Sequence, residues 1–179
     1  HVTMNFLADY APSRALTKTL AAAGYLIFAG TISTSLLFDS AAFVASKNDS
    51  SDGDGGSTTK RLTATKVVKL NRTYYKSLMA APFIGPLRNG IMLLFAPIFF
   101  RLAAFNERED RINALTLLGV YGITVKGIIH PARDLLIGPT IVDDSNVNDL
   151  LGAARKVCVG HMCAWIGAVL AATSLYNRQ

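Results

Sequence analysis

The chain has 179 residues, 51% of them hydrophobic and 17% charged, with a net charge of +6. Soluble domains carry about 25% charged residues, so this composition argues against a water-exposed surface over the whole chain. The basic balance (pI near 9.5) is spread between apolar segments with no aromatic-rich basic stripe, which argues against nucleic acid as a partner.

The chain starts at His1 and not at methionine, which fits either removal of a targeting segment or a chain trimmed at its start. The first ten residues have no basic start leading into a long apolar core, so they do not read as a signal peptide. An apolar segment then runs from about residue 16 to 38, LTKTLAAAGYLIFAGTISTSLLF. Three more follow, at about 77–100, 112–130 and 154–176. Each approaches the roughly 20 helical residues that a bilayer core requires. A buried helix of a soluble protein would show a polar face recurring every 3.6 residues, and these segments do not. Lipid offers no partners for open backbone groups, so the spanning element is a helix. Small residues suited to close helix packing recur in the first segment (Ala21, Ala22, Ala23, Gly24, Gly30, Ser33) and the fourth (Ala164, Ala168, Ala171, Ala172). The expected fold is therefore all-α: one integral membrane domain over residues 1–179, a four-helix bundle with a long polar and basic loop at 46–76 between helices 1 and 2.

That loop opens with SKNDSSDGDGGSTT (46–59), which lacks any hydrophobic residue and reads as a mobile linker. Its DxDG resembles a fragment of a calcium loop, without the glutamate that completes one. Lys60 to Lys76 then carries six bases and no acids, and reads as a partly helical basic segment; Tyr74 and Tyr75 suit an interfacial anchor. With four spans, the loop between the first and second and the loop between the third and fourth share one side. Their bases (Lys47, Lys60, Arg61, Lys66, Lys69, Arg72, Lys76, Arg133, Arg155, Lys156) outnumber those opposite, which places both termini away from the basic compartment.

Polar residues inside the apolar segments are the candidates for function. Arg88 and Asn89 lie between Pro82, Pro86 and Pro97 in the second segment. Arg88 either snorkels to the headgroups from a span starting near Pro86, or faces the bundle interior and binds an acid or ligand. Lys126 and His130 share a helix face at i, i+4, and Pro131 is expected to end the helix there, leaving Arg133 and Asp134 in water. His161 reads either as a satisfied intramembrane histidine or as an axial ligand for haem or chlorophyll, the one cofactor site the residues suggest. Cys158 and Cys163, five apart on a helix, point about 140° from each other; they cannot bridge, and read as small buried hydrophobes. Asp143 and Asp144 follow Gly138 and Pro139 in a polar loop and read as solvated. Neither a Walker loop, HExxH nor GxSxG is present, and no metal site is expected.

Three stretches carry a family resemblance: Phe28 to Ser35 (FAGTISTS), Tyr74 to Pro82 (YYKSLMAAP) and His130 to Leu136 (HPARDLL). In this order they resemble the small four-helix membrane proteins of the anthrone-oxygenase-like family. One departure is Ala164, which stands where the family tends to carry an arginine in the fourth span. The resemblance implies an oxygenase acting on a small aromatic substrate held between helices. Arg88 or Lys126 would bind a phenolate and His130 would act as base, with all three and His161 converging. The competing expectation, favoured because no acid and base lie close in sequence, is a non-catalytic accessory subunit. It would sit in a larger respiratory or photosynthetic complex, in a mitochondrial inner or plastid thylakoid membrane. Its partners would be the lipid bilayer and other membrane subunits.

Overall fold

The computed structural model describes residues 13–45, 63–82, 98, 100, 104 and 108–176. The described residues are all-α, with no strand among them. Helix α1 spans Arg14–Asp39. Its start is set by Ser13, whose hydroxyl accepts from the Leu16 backbone N–H at 3.2 Å and so satisfies one of the open amides of the first turn. A single further turn, α2 (Ala41–Val44), continues the path after Ser40. Helix α3 (Ala64–Ala80) is capped in the same way by Thr63. It absorbs most of the basic segment and the first residues of the expected second span; most of the remainder of that span, including Pro86, Arg88 and Asn89, lies outside the described residues, as does the 46–59 loop.

The third expected span is a composite. Helix α4 (Arg108–Gly119) passes into a π-helical stretch, Val120–Ile129, and then into α5 (His130–Ile137). The helical path thus crosses Pro131 instead of ending before it. The reason is local: Pro131 sits in the first turn of α5, just after the wider i→i−5 ladder closes with the His130 N–H bonded to the Val125 carbonyl. A missing N–H costs little at that position. Arg133 is only half-buried and pairs with exposed Asp134 at 2.7 Å. Helix α6 (Val147–Tyr176) starts seven residues earlier than the fourth apolar segment. Asp143 organises its approach: its carboxylate accepts from the Ser145 N–H and hydroxyl and from the Asn146 N–H, at 3.0, 2.6 and 3.1 Å. The Ser145 hydroxyl bond, supported by the two amides, holds the Asp143 carboxyl below the usual carboxylate range.

Helices α1 and α6 run antiparallel. Ala42 is met by Arg155, Asp39 by His161 and Ser33 by Trp165, so falling numbers on one helix face rising numbers on the other. Farther along, Ala21, Ala22, Tyr25 and Ala29 close on Ala168, Ala171, Ala172 and Leu175. Alanines predominate inward, beside Tyr25, Ile32 and Leu175, and several large side chains face out: Leu26, Ile27 and Leu37 on α1, and Met162, Ile166 and Leu170 on α6, are all exposed. That arrangement inverts the pattern of a soluble helical protein and suits helices packed in lipid. Both Arg14–Val44 and Val147–Leu175 are long and apolar enough to cross a bilayer. A second cluster joins α3, the end of the π-helix, α5 and the start of α6 around Val67, Val68, Leu136, Leu150 and Val157. Gly160 permits the closest approach there: a Cβ on it would lie 2.6 Å from Ile129 Cγ1.

Candidate functional site

The candidate site lies at the carboxyl end of α1. Asp39, the last residue of that helix, is fully buried, and a buried carboxylate needs partners to repay its lost hydration. It has two. Tyr75 Oη donates to Oδ1 at 2.6 Å from α3, and His161 Nδ1 lies 2.6 Å from Oδ2 on α6. Both distances belong to strong, charge-assisted bonds. Tyr75 and His161 are themselves buried, and their rings stack loosely at 6.5 Å between centroids. Burial, then the charge of Asp39, push the Tyr75 phenol well above its ordinary range, so it remains a donor. One carboxylate thus ties three helices together.

The hydrogen bond to Asp39 puts the Nδ1 proton of His161 on the carboxylate side, which leaves the lone pair of a neutral ring on Nε2. That nitrogen makes no hydrogen bond among the described residues and is not among the enclosed polar atoms. A carboxylate behind Nδ1 fixes the ring's orientation, an arrangement suited either to accepting a proton or to ligating a metal at Nε2. Around the triad, Tyr74 stacks on Phe38 with centroids 4.3 Å apart and shares a 3.0 Å hydrogen bond with Ser35, while Trp165 Nε1 donates to Ser33 Oγ at 3.0 Å. These contacts hold the α1–α3–α6 junction on both sides of Asp39. Cys158, one turn before His161, is buried and free; Cys163 is free and exposed, on the outer face. The angular separation expected for the pair holds, but burial holds only for Cys158.

Of the candidate catalytic and cofactor residues read from the sequence, His161 alone belongs to this cluster. Lys126 is exposed and His130 half-buried, and neither hydrogen-bonds to the Asp39–His161 pair. Arg88 lies outside the described residues. Tyr75, read as an interfacial anchor, faces inward instead, drawn by the buried carboxylate. Asp39 was missed altogether. Its signal was an acid at the end of an apolar segment, and it needed the fold to show which residues answer it.

Arg72, one turn before Tyr75 on the buried face of α3, is 7% exposed. Its Nε and Nη2 are enclosed and make no hydrogen bond, and the neighbouring Asn71 Oδ1 is enclosed and unbonded as well. Among the described residues no group of three or more acids, histidines and cysteines is placed to hold a metal ion. Comparison of the chain with protein-family models, with curated proteins and with solved structures finds no match in any of the three.

Proposed function

We propose that the chain is an integral membrane protein in which α1 and α6 cross the bilayer as an antiparallel pair, and that it is a small membrane enzyme using His161 as its base. The observation that supports this reading is the Asp39–His161 pair with Nε2 left open. The acid and base that lie far apart in the sequence are adjacent in the fold. In this reading a weakly acidic, apolar aromatic substrate enters from the lipid and gives a proton to Nε2. Asp39 stabilises the resulting imidazolium, and Tyr75 holds the carboxylate in place. General-base assistance of this kind contributes about 10²–10⁴ in rate. The resemblance to the anthrone-oxygenase-like family supplies the substrate class, a reduced phenolic aromatic, and the base moves from His130 to His161.

The test is turnover of such aromatics by the chain extracted from its own membrane in mild detergent, compared with His161→Gln and Asp39→Asn proteins of unchanged particle size. Loss of turnover by at least about tenfold in both supports the reading. Unchanged turnover in both refutes it.

A second reading keeps the chain as a non-catalytic subunit of a larger respiratory or photosynthetic assembly in an organellar membrane, with the triad as a structural lock. It is favoured by the apolar outer faces of α1 and α6, which other subunits would cover as readily as lipid. The mass and absorption spectrum of the native particle separate the two. A particle of several hundred kilodaltons supports the subunit. Visible bands lost in His161→Ala would make Nε2 an axial ligand to haem or chlorophyll.

A further inference from the structure

We propose that α3 is a strap over the Asp39–His161 pair, fastened at Tyr74 and Tyr75 and loaded to lift by the polar groups of Asn71 and Arg72 that its docking encloses. The buried face of α3 carries two kinds of residue. Ala64, Val67, Val68 and Tyr75 pack into the cluster with Leu136, Leu150 and Val157, and their removal from water favours docking. Asn71 and Arg72 lie on the same face, 0% and 7% exposed, and oppose it. Asn71 Nδ2 turns back to the Val67 carbonyl of its own helix at 3.2 Å, while its Oδ1 is enclosed without a partner. Arg72 Nε and Nη2 are enclosed without partners as well. A group that water solvates when the helix is lifted, and that nothing solvates when it is docked, weakens docking. The effect is largest for a charge.

The fastening is made by the next turn of the same helix. Tyr75 Oη donates to Asp39 Oδ1 at 2.6 Å, Tyr74 Oη shares a 3.0 Å hydrogen bond with Ser35 Oγ, and the Tyr74 ring lies on Phe38. Load and latch thus follow each other directly along the chain, at 71 and 72 and then at 74 and 75. What the strap covers is the histidine. The Tyr75 ring stacks on the imidazole of His161 at 6.5 Å and 24°, and the same tyrosine bonds the carboxylate behind it. Lifting α3 bares that face of the imidazole, frees one oxygen of Asp39 and hydrates Asn71 and Arg72. The strap works in the same way whether His161 takes a proton or only ties α1 to α6.

The test is labelling of a thiol placed under the strap, Val68→Cys in a Cys158→Ala/Cys163→Ala chain, by a water-soluble maleimide in mild detergent. Global unfolding of the same protein is followed by the fluorescence of its single tryptophan, Trp165. The introduced thiol is expected to react at least about tenfold faster than global unfolding exposes it, because α3 opens on its own. Tyr75→Phe, which cuts the latch, speeds labelling by at least about tenfold, and Arg72→Met, which removes the load, slows it by a similar factor. Opposite signs at neighbouring positions distinguish a loaded strap from an ordinary docked helix, in which both substitutions would speed exposure. Should Val68→Cys not fold, amide hydrogen exchange over residues 63–82 of the unsubstituted chain and of Arg72→Met reads the same opening. A helix of 17 residues is marginal once it leaves its partners, so lifting exposes its amides, and slower exchange is expected in Arg72→Met. Labelling no faster than global unfolding, no acceleration by Tyr75→Phe, or equal or faster exposure in Arg72→Met overturns the proposal.

Discussion

Replacing Asp39 by asparagine tests whether the buried carboxylate holds the three helices together. The amide keeps the shape and one acceptor oxygen, so Tyr75 can still donate to it. Where Oδ2 accepted from His161, the substituted side chain now presents an amide donor, which the neutral ring answers only by moving its proton to Nε2, so that a neutral bond replaces the charge-assisted one of 2.6 Å. A hydrogen bond to a charged group contributes about 1.5–3 kcal/mol. Asp39 is fully buried and His161 nearly so, which places the expected loss in that range of about 1.5–3 kcal/mol. The assay is reversible unfolding in mixed micelles of the parent, Asp39→Asn, His161→Gln and the double variant. An amide pair can hydrogen-bond to itself, so the double variant is expected to be more stable than the sum of the singles predicts, by at least about 1 kcal/mol. Additivity within about 0.5 kcal/mol would show that the two side chains do not act as a pair, and the site would lose its foundation.

Two further outcomes follow from the packing and from the turn before α6. Gly160→Ala places a methyl 2.6 Å from Ile129 Cγ1 and 3.3 Å from Ile128 Cγ2. Overpacking of this kind costs about 1–3 kcal/mol, read in the same unfolding assay, and Ile129→Val is expected to recover part of it. Asp143 titrates below the ordinary carboxylate range because the Ser145 hydroxyl and two amides bond its charged form. Its contribution to the turn is therefore present above the unfolded value of about 3.9 and lost as pH falls through the lower folded value. Amide exchange at Ser145 and Asn146, corrected for its intrinsic pH dependence, should quicken over that acid window in the parent and lose the step in Asp143→Ala.

The helical class was legible because its pattern is repeated, and the stripes of small residues were legible in part: Ala21, Ala22 and Gly24 are buried on α1, as are Ala164, Ala168, Ala171 and Ala172 on α6, whereas Ala23, Gly30 and Ser33 are exposed. The ends of elements were less legible. Pro131 reads as a stop when only the residue before it is considered, but it is harmless at the start of a new α segment after a π-helical stretch, which local sequence does not announce. The site was least legible. Asp39 and His161 are 122 positions apart, and Tyr75 lies in a basic segment where an interfacial role was the natural expectation. What joins them is the antiparallel register of α1 and α6, a tertiary property to which no short motif corresponds. His161 was visible as a polar residue in an apolar run; its partner was visible only as the residue after one.

The membrane reading itself can be overturned on the outer faces of α1 and α6. Leu26 is 57% exposed and Leu170 65% exposed, each well inside its helix. If water surrounded these helices, Leu26→Lys and Leu170→Lys would be ordinary surface changes, within about 0.5 kcal/mol of the parent. In a bilayer, each lysine near the middle of a span costs about 2.5–3.5 kcal/mol on insertion scales and forfeits the small gain from leucine. The sum, about 3–4 kcal/mol, lowers the insertion equilibrium by a factor on the order of several hundred. Insertion into microsomes, followed by a glycosylation acceptor placed after the helix, reads that factor directly. Ala168→Lys would be uninformative here, because it disrupts the α1–α6 contact in either solvent. The outward positions separate the solvents, since more than half of each side chain is open to the surroundings. Folded lysine variants accumulating in the soluble fraction without detergent would refute the membrane reading. They would also make the exposed leucines an interface with another soluble protein.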